Sequence, residues 1–137
     1  MKNHSRLFFT LSWFLGLSFA FAENEDALAG SAEEKLKAEQ NTVVFLAQGM
    51  GCQACASAVQ DELVKLAFVD QSRLDEGMKF DVESKLVTVA ITPGEKVDLN
   101  QLSSAIEDAG YDPLRIYQIL EGALKTSDLP KEAKSES

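Results

Sequence analysis

The chain is short of the residues from which most recognisable sites are built. Its 137 residues include 2 cysteines, 1 histidine and 3 prolines. Two cysteines cannot form a multi-bridge disulfide framework, and without a second cysteine pair or a set of histidines they cannot complete a four-ligand structural zinc site. The histidine, His4, lies at the extreme N-terminus, so acid–base chemistry that relies on imidazole has no candidate in the body of the chain. Its carboxylates are scattered over positions read as solvent-facing, and no hydrolytic constellation emerges; the expectation is a protein that is not an enzyme. Basic residues number 13 against 22 acidic ones, a net charge of −9, which argues against nucleic acid as a partner. Past residue 22 no apolar run is long enough to span a bilayer.

The one long apolar run stands at the start. MKNHSR, with Lys2 and Arg6, precedes LFFTLSWFLGLSFAFA, and Ala20 and Ala22 put small residues where a signal peptidase inspects the chain. At 16 residues, with Thr10, Ser12 and Ser18 inside it, this run falls short of the roughly 20 a spanning helix requires. It reads as a cleaved signal peptide, residues 1–22, and places the mature protein in the periplasm. Without Lys2 and Arg6, 11 of the 13 basic residues remain against all 22 acidic ones, a formal charge of about −11. That charge suits docking onto a basic protein surface or simple solubility.

The mature chain divides by composition. Residues 23–41, ENEDALAGSAEEKLKAEQN, have only Leu28 and Leu36 as sizeable apolar residues and read as a solvated linker. Residues 121–137, EGALKTSDLPKEAKSES, read as a disordered tail. The roughly 80 residues between them suffice for one small core. TVVFLAQ, Thr42 to Gln48, is a short apolar strand stopped by Gly49. From Cys55 the period becomes helical, with Ala56, Val59, Leu63 and Leu66 on one face and an end near Phe68. Met78, Phe80 and Val82, then Val87, Val89 and Ile91, alternate as the inward residues of a hairpin. Asp98 with Gln101 fits an N-cap and capping-box pair, Leu99, Leu102, Ile106 and Ala109 continue as a helix, and Gly110 stands where a C′ glycine would end it. PLRIYQIL, Pro113 to Leu120, supplies a last strand. The order βαββαβ predicts an α+β, ferredoxin-like fold: a four-stranded antiparallel sheet with two helices on one face and the other face open.

Both cysteines fall in QGMGCQACASAV, Gln48 to Val59. Cys52 lies in the loop after the first strand and Cys55 in the first turn of the helix, where unpaired N–H groups favour thiolates. Gly49 and Gly51 leave both sulfurs free to turn toward one point. Two soft anionic donors on an exposed loop suit Cu(I) and Hg(II). Two rival readings accompany this one. A CxxC pair at a helix start also serves thiol-disulfide oxidoreductases, and Thr92-Pro93 resembles the proline loop of the thioredoxin fold, although a helix follows it directly where that fold needs a strand pair. A structural disulfide is the third, but its four-residue loop would constrain the unfolded chain little.

Gly49-Met50-Gly51-Cys52-Gln53-Ala54-Cys55 and IEDAGYDP, Ile106 to Pro113, together resemble the heavy-metal-associated domain family, whose loop reads GMxCxxC between the first strand and first helix of a ferredoxin-like fold. The resemblance covers roughly residues 42–120. It implies that Cys52 and Cys55 are the ligands of one soft metal ion, that Met50 anchors the loop from beneath, and that Tyr111 sits close to the site. It also implies a carrier, monomeric when metal-free, that exchanges Cu(I) or Hg(II) with a membrane metal transporter or that transporter's metal-binding domain. Two departures stand out. Where copper- and mercury-binding members often place Thr, and zinc- or lead-binding members an acidic residue, this chain has Gly51. FVDQSRLDEG, Phe68 to Gly77, is a longer and more acidic link than the family usually has, and its Asp70, Asp75 and Glu76 read as solvated.

Overall fold

The computed structural model describes residues 23–131. The expected signal peptide, residues 1–22, and the end of the tail, residues 132–137, lie outside that range. The elements run α1 (Glu23–Ala38), β1 (Thr42–Gln48), α2 (Gln53–Leu63), β2 (Met78–Asp81), β3 (Leu86–Ala90), α3 (Leu99–Asp108), β4 (Asp112–Leu120) and β5 (Ala123–Asp128). The strands form one antiparallel sheet in the order β2-β3-β1-β4-β5. From β1 to β4 this is the expected βαββαβ fold, and β5 adds a fifth strand at the β4 edge.

Strand alternation sends β1 side chains to both faces. Val43, Phe45 and Ala47 join Val87, Val89, Ile91, Met78 and Ile116 in a core closed by Ala56, Val59 and Leu63 of α2 and by Leu102, Ala105 and Ile106 of α3. The pairings Phe45↔Val87, Phe45↔Ile116 and Phe80↔Val87 hold these residues in register on that face. Asp98 caps α3: its Oδ1 accepts the N–H groups of Asn100 at 2.9 Å and Gln101 at 3.2 Å, while Gln101 Nε2 donates to Oδ2 at 3.2 Å.

The other face is not open. α1 lies over it and buries Ala32 and Leu36 against Val44, Leu86 and Tyr117, with Leu28 and Ala29 half-covered beside Leu46, Ile119 and Leu124. The stretch expected to be a solvated linker is thus a packed helix. Its apolar residues are few and small, but Leu28, Ala32 and Leu36 recur every four residues and share one side. Ion pairs fasten it: Lys35 to Asp81 at the end of β2, and Glu25 to Arg115 on β4 at 3.0 Å.

The expected tail is corrected likewise. Glu121 and Gly122, with φ of 54° and 79°, make a two-residue turn, and Leu120↔Ala123 through Arg115↔Asp128 zip β5 onto β4. Leu129 beyond it is buried. Two boundaries also differ. α2 stops at Leu63, not near Phe68, because the chain tightens at Lys65 and Leu66, whose N–H groups bond to residues three back. Val82 lies past the end of β2 and is exposed, not inward. The link from Phe68 to Gly77 is tied down: Asp70 N–H donates to Ala90, Thr92 N–H to Phe68, Gln71 Nε2 to Val64 at 2.6 Å and Arg73 to Gln40 at 2.7 Å. Asp75 and Glu76 are exposed, and Asp70 is half-exposed.

Candidate metal centre

The loop between β1 and α2 is held from both ends. Gln48, the last residue of β1, pairs with Asp112 of β4. Gly49 then turns the chain with φ of 91°, a region L side chains rarely adopt, and a Cβ there would stand 3.4 Å from the ring of Tyr111. Met50 folds back into the core at 1% exposure and joins the cluster of α2, α3 and the sheet. Gly51 is different: it is exposed, and nothing lies within 4 Å of where its Cβ would be.

Cys52 is the N-cap of α2. Its backbone is extended, with φ −144° and ψ 157°, and its Sγ accepts the N–H of Cys55 at 3.1 Å. Cys52 is exposed and Cys55 half-buried; the next residue, Ala56, is fully buried and fixes the start of the helix against the core. The two sulfurs are joined as a disulfide with a Cα–Cα distance of 5.2 Å. The fold therefore brings both predicted ligands to one point, in the oxidised state. Once reduced, they sit at the positive end of α2, whose first turn carries no acidic residue to compete with thiolates.

Tyr111 reaches the loop through the end of α3. Gly110, with φ of 93°, donates its N–H to Glu107, and Tyr111 N–H donates to Ile106 at 3.1 Å; this paired Schellman closure sends the ring back over the helix end. The ring is half-buried against the core and covers Gly49, so Met50 below and Tyr111 beside the loop hold it in place. Pro113, expected only as the start of the last strand, also shapes the loop's approach. It is buried opposite Ala47, where the β1–β4 register shifts between Leu46 and Ala47 and sets how β1 delivers the loop. A proline one residue into a strand is the signal that could have marked it.

Among the described residues no group of three or more His, Cys, Asp or Glu side chains converges as a metal site. A metal at this loop would rest on Cys52 and Cys55 alone, which suits the low coordination of a soft ion and leaves room for a third donor from outside. After Pro93 the chain passes through an irregular stretch straight into α3, without the strand pair of a thioredoxin fold.

Residues 44–112, half of the chain, match the family model described as the heavy-metal-associated domain. The match begins in β1 and ends at the first residue of β4, so it contains the loop, both helices beneath it and Tyr111, and leaves out α1 and β5. No curated protein matches the chain.

Proposed function

Starting from a chain that belongs to the heavy-metal-associated domain family, we propose that this protein captures one Cu(I) or Hg(II) ion between Cys52 and Cys55 and hands it to a partner. The observation that carries the reading is the placement of both sulfurs on one exposed loop at the N-terminus of α2, within the matched span, where no group of three or more His, Cys, Asp or Glu side chains gathers among the described residues. A site of two thiolates holds a soft ion firmly yet stays open to a third sulfur, so a partner thiol can add to the metal before Cys52 or Cys55 lets go. Met50 and Tyr111 keep the loop in place during such a transfer.

The rest of the reading follows from the sequence. The signal-like N-terminus supports export to the periplasm, and the acidic surface supports a basic docking partner: a membrane metal transporter or its metal-binding domain. The protein then acts as a carrier or scavenger, not as an enzyme.

The test is an anaerobic titration of the reduced protein. One equivalent of Cu(I) or Hg(II) should bind, the ion should be lost in Cys52→Ser, and Zn(II) should compete poorly. Full stoichiometry in Cys52→Ser would sink the assignment. Reduction of insulin well above a free-dithiol control would instead favour the oxidoreductase.

A further inference from the structure

We propose that the sheet face under α1 is a helix-docking surface through which two copies of this chain associate, each placing its α1 on the other's sheet. The fit is visible within one chain. Ala32 and Leu36 bury against Val44, Leu86 and Tyr117, while Lys35 and Glu25 pair with Asp81 and Arg115. A second copy brings the same helix with the same side chains. What decides between closing on its own sheet and closing on the partner's is the connection from α1 to β1.

That connection is Glu39, Gln40 and Asn41. Asn41 stands at φ 52°, in the left-handed region, and its side chain is exposed. The link after α2 holds this turn shut: Arg73 donates to the Gln40 carbonyl at 2.7 Å and pairs with the Glu39 carboxylate at 3.5 Å. Thr42 Oγ1 also donates to the Glu39 carbonyl, at 2.7 Å. A short, strained turn is the kind of hinge whose opening exchanges an element between copies. Straightened, Asn41 leaves the left-handed region and α1 points away from its own sheet.

The rest of the fold tolerates that opening. The core closed by α2 and α3 contains no residue of α1, so it stays intact when α1 lifts. Beneath α1, the Tyr117 hydroxyl is buried without a hydrogen-bond partner among the described residues, and opening returns it to water. The hinge adjoins the Thr42 end of β1 and the metal loop its Gln48 end, so association through α1 leaves both loops clear. One ion per chain then remains the expected load; that count alone rests on the proposed function.

Sedimentation of the reduced protein reads the association and keeps intermolecular disulfides out of it. Asn41→Val puts a β-branched side chain where φ is positive and should tighten the dimer about a hundredfold, about tenfold for each hinge. Asn41→Gly, for which that φ carries no strain, should stay monomeric under the same conditions. Arg73→Ala, which opens the latch, should shift the equilibrium in the same direction as Asn41→Val and by less. Equal association of Asn41→Val and Asn41→Gly would overturn the hinge and the proposal with it.

Exchange of α1 is read with a charge reversal in two chains that both carry Asn41→Val. Lys35→Glu sets a second carboxylate against Asp81, and Asp81→Lys a second ammonium against Lys35, whether α1 lies on its own sheet or on that of an identical copy. Mixed, the two chains satisfy both pairs only when each α1 crosses to the other's sheet. The mixture should therefore form a heterodimer tighter than the homodimer of either variant. Absence of the heterodimer, or homodimers as tight, would overturn the proposal. Titration of that heterodimer with Hg(II) should reach one ion per chain, and a failure there with association intact would overturn the proposed function alone.

Discussion

The two faces of the sheet are covered in different ways. On one, α2 and α3 close a core in which Phe45, Val59, Leu102, Ile106 and Ile116 are fully buried, and the metal loop hangs from that core through Met50. On the other, α1 buries only Ala32 and Leu36 and depends on ion pairs that cross from Lys35 to Asp81 and from Glu25 to Arg115. The family match, residues 44–112, contains the loop, α2 and α3 and omits α1, β5 and all of β4 but its first residue. The contrast separates a layer that builds the site from a layer that seals the back of the sheet. A bare βαββαβ unit would leave Val44, Leu86 and Tyr117 in water; here the chain covers them with its own N-terminal helix.

The largest way to break this contrast is Phe45→Ala. It removes an aromatic ring from the middle of the first core and should cost about 3–5 kcal/mol in a denaturant titration, taking the metal loop's geometry with it. Leu36→Ala, on the second face, should cost less, about 2 kcal/mol, because a helix at the surface settles into the space, and metal stoichiometry should stay unchanged. A loss of metal binding in Leu36→Ala would show that the back layer shapes the site after all.

Smaller still is the effect of Asp81→Asn. The Lys35 ammonium, helped by the N–H groups of Ser84 and Glu83 and opposed by burial, pulls the Asp81 carboxyl from 3.8 to about 2. A carboxyl depressed in the folded state contributes its stability above its unfolded value and loses it as pH falls through the folded one. With both partners about one-third exposed, solvent screening leaves about 1 kcal/mol. Thermal melts of wild type and Asp81→Asn should therefore differ above pH 4 and converge as pH falls toward 2. Convergence between pH 5 and 7 instead would point to a different group.

Gly51→Thr should have the smallest effect, within about 0.5 kcal/mol, since open space surrounds that Cβ position. Gly49→Ala, strained by its φ and pressed against Tyr111, should be clearly worse. A Gly51→Thr protein that melts as early as Gly49→Ala would contradict the assigned difference between the two glycines.

Much of the first face was legible in the sequence. β1 appears at Thr42–Gln48 as read, the N-cap at Asp98 and the C′ glycine at Gly110 are in place, and the two cysteines stand at the start of α2. These features are local: strand alternation, capping and glycine positions need no distant partner to be recognised. The second face was not read, and the reason is physical. α1 has a thin stripe of Leu28, Ala32 and Leu36 that stays soluble alone and is buried only because a sheet face awaits it. The clue lay in the strands, not in α1. TVVFLAQ is apolar on both sides, and all five residues of β3 are buried, as befits strands covered on both faces. β5 is polar in four of its six residues, as an exposed edge strand is, and only the Glu121-Gly122 turn marked it.

The most direct measurement is a thiolate-to-metal absorbance titration with Hg(II) on three reduced proteins: unsubstituted, Leu36→Ala and Cys55→Ser. The first two should reach saturation at one ion per chain, and Cys55→Ser should fail to hold the ion against a competing monothiol. Retention by Cys55→Ser equal to that of the unsubstituted protein would contradict the two-cysteine clamp on which the account rests.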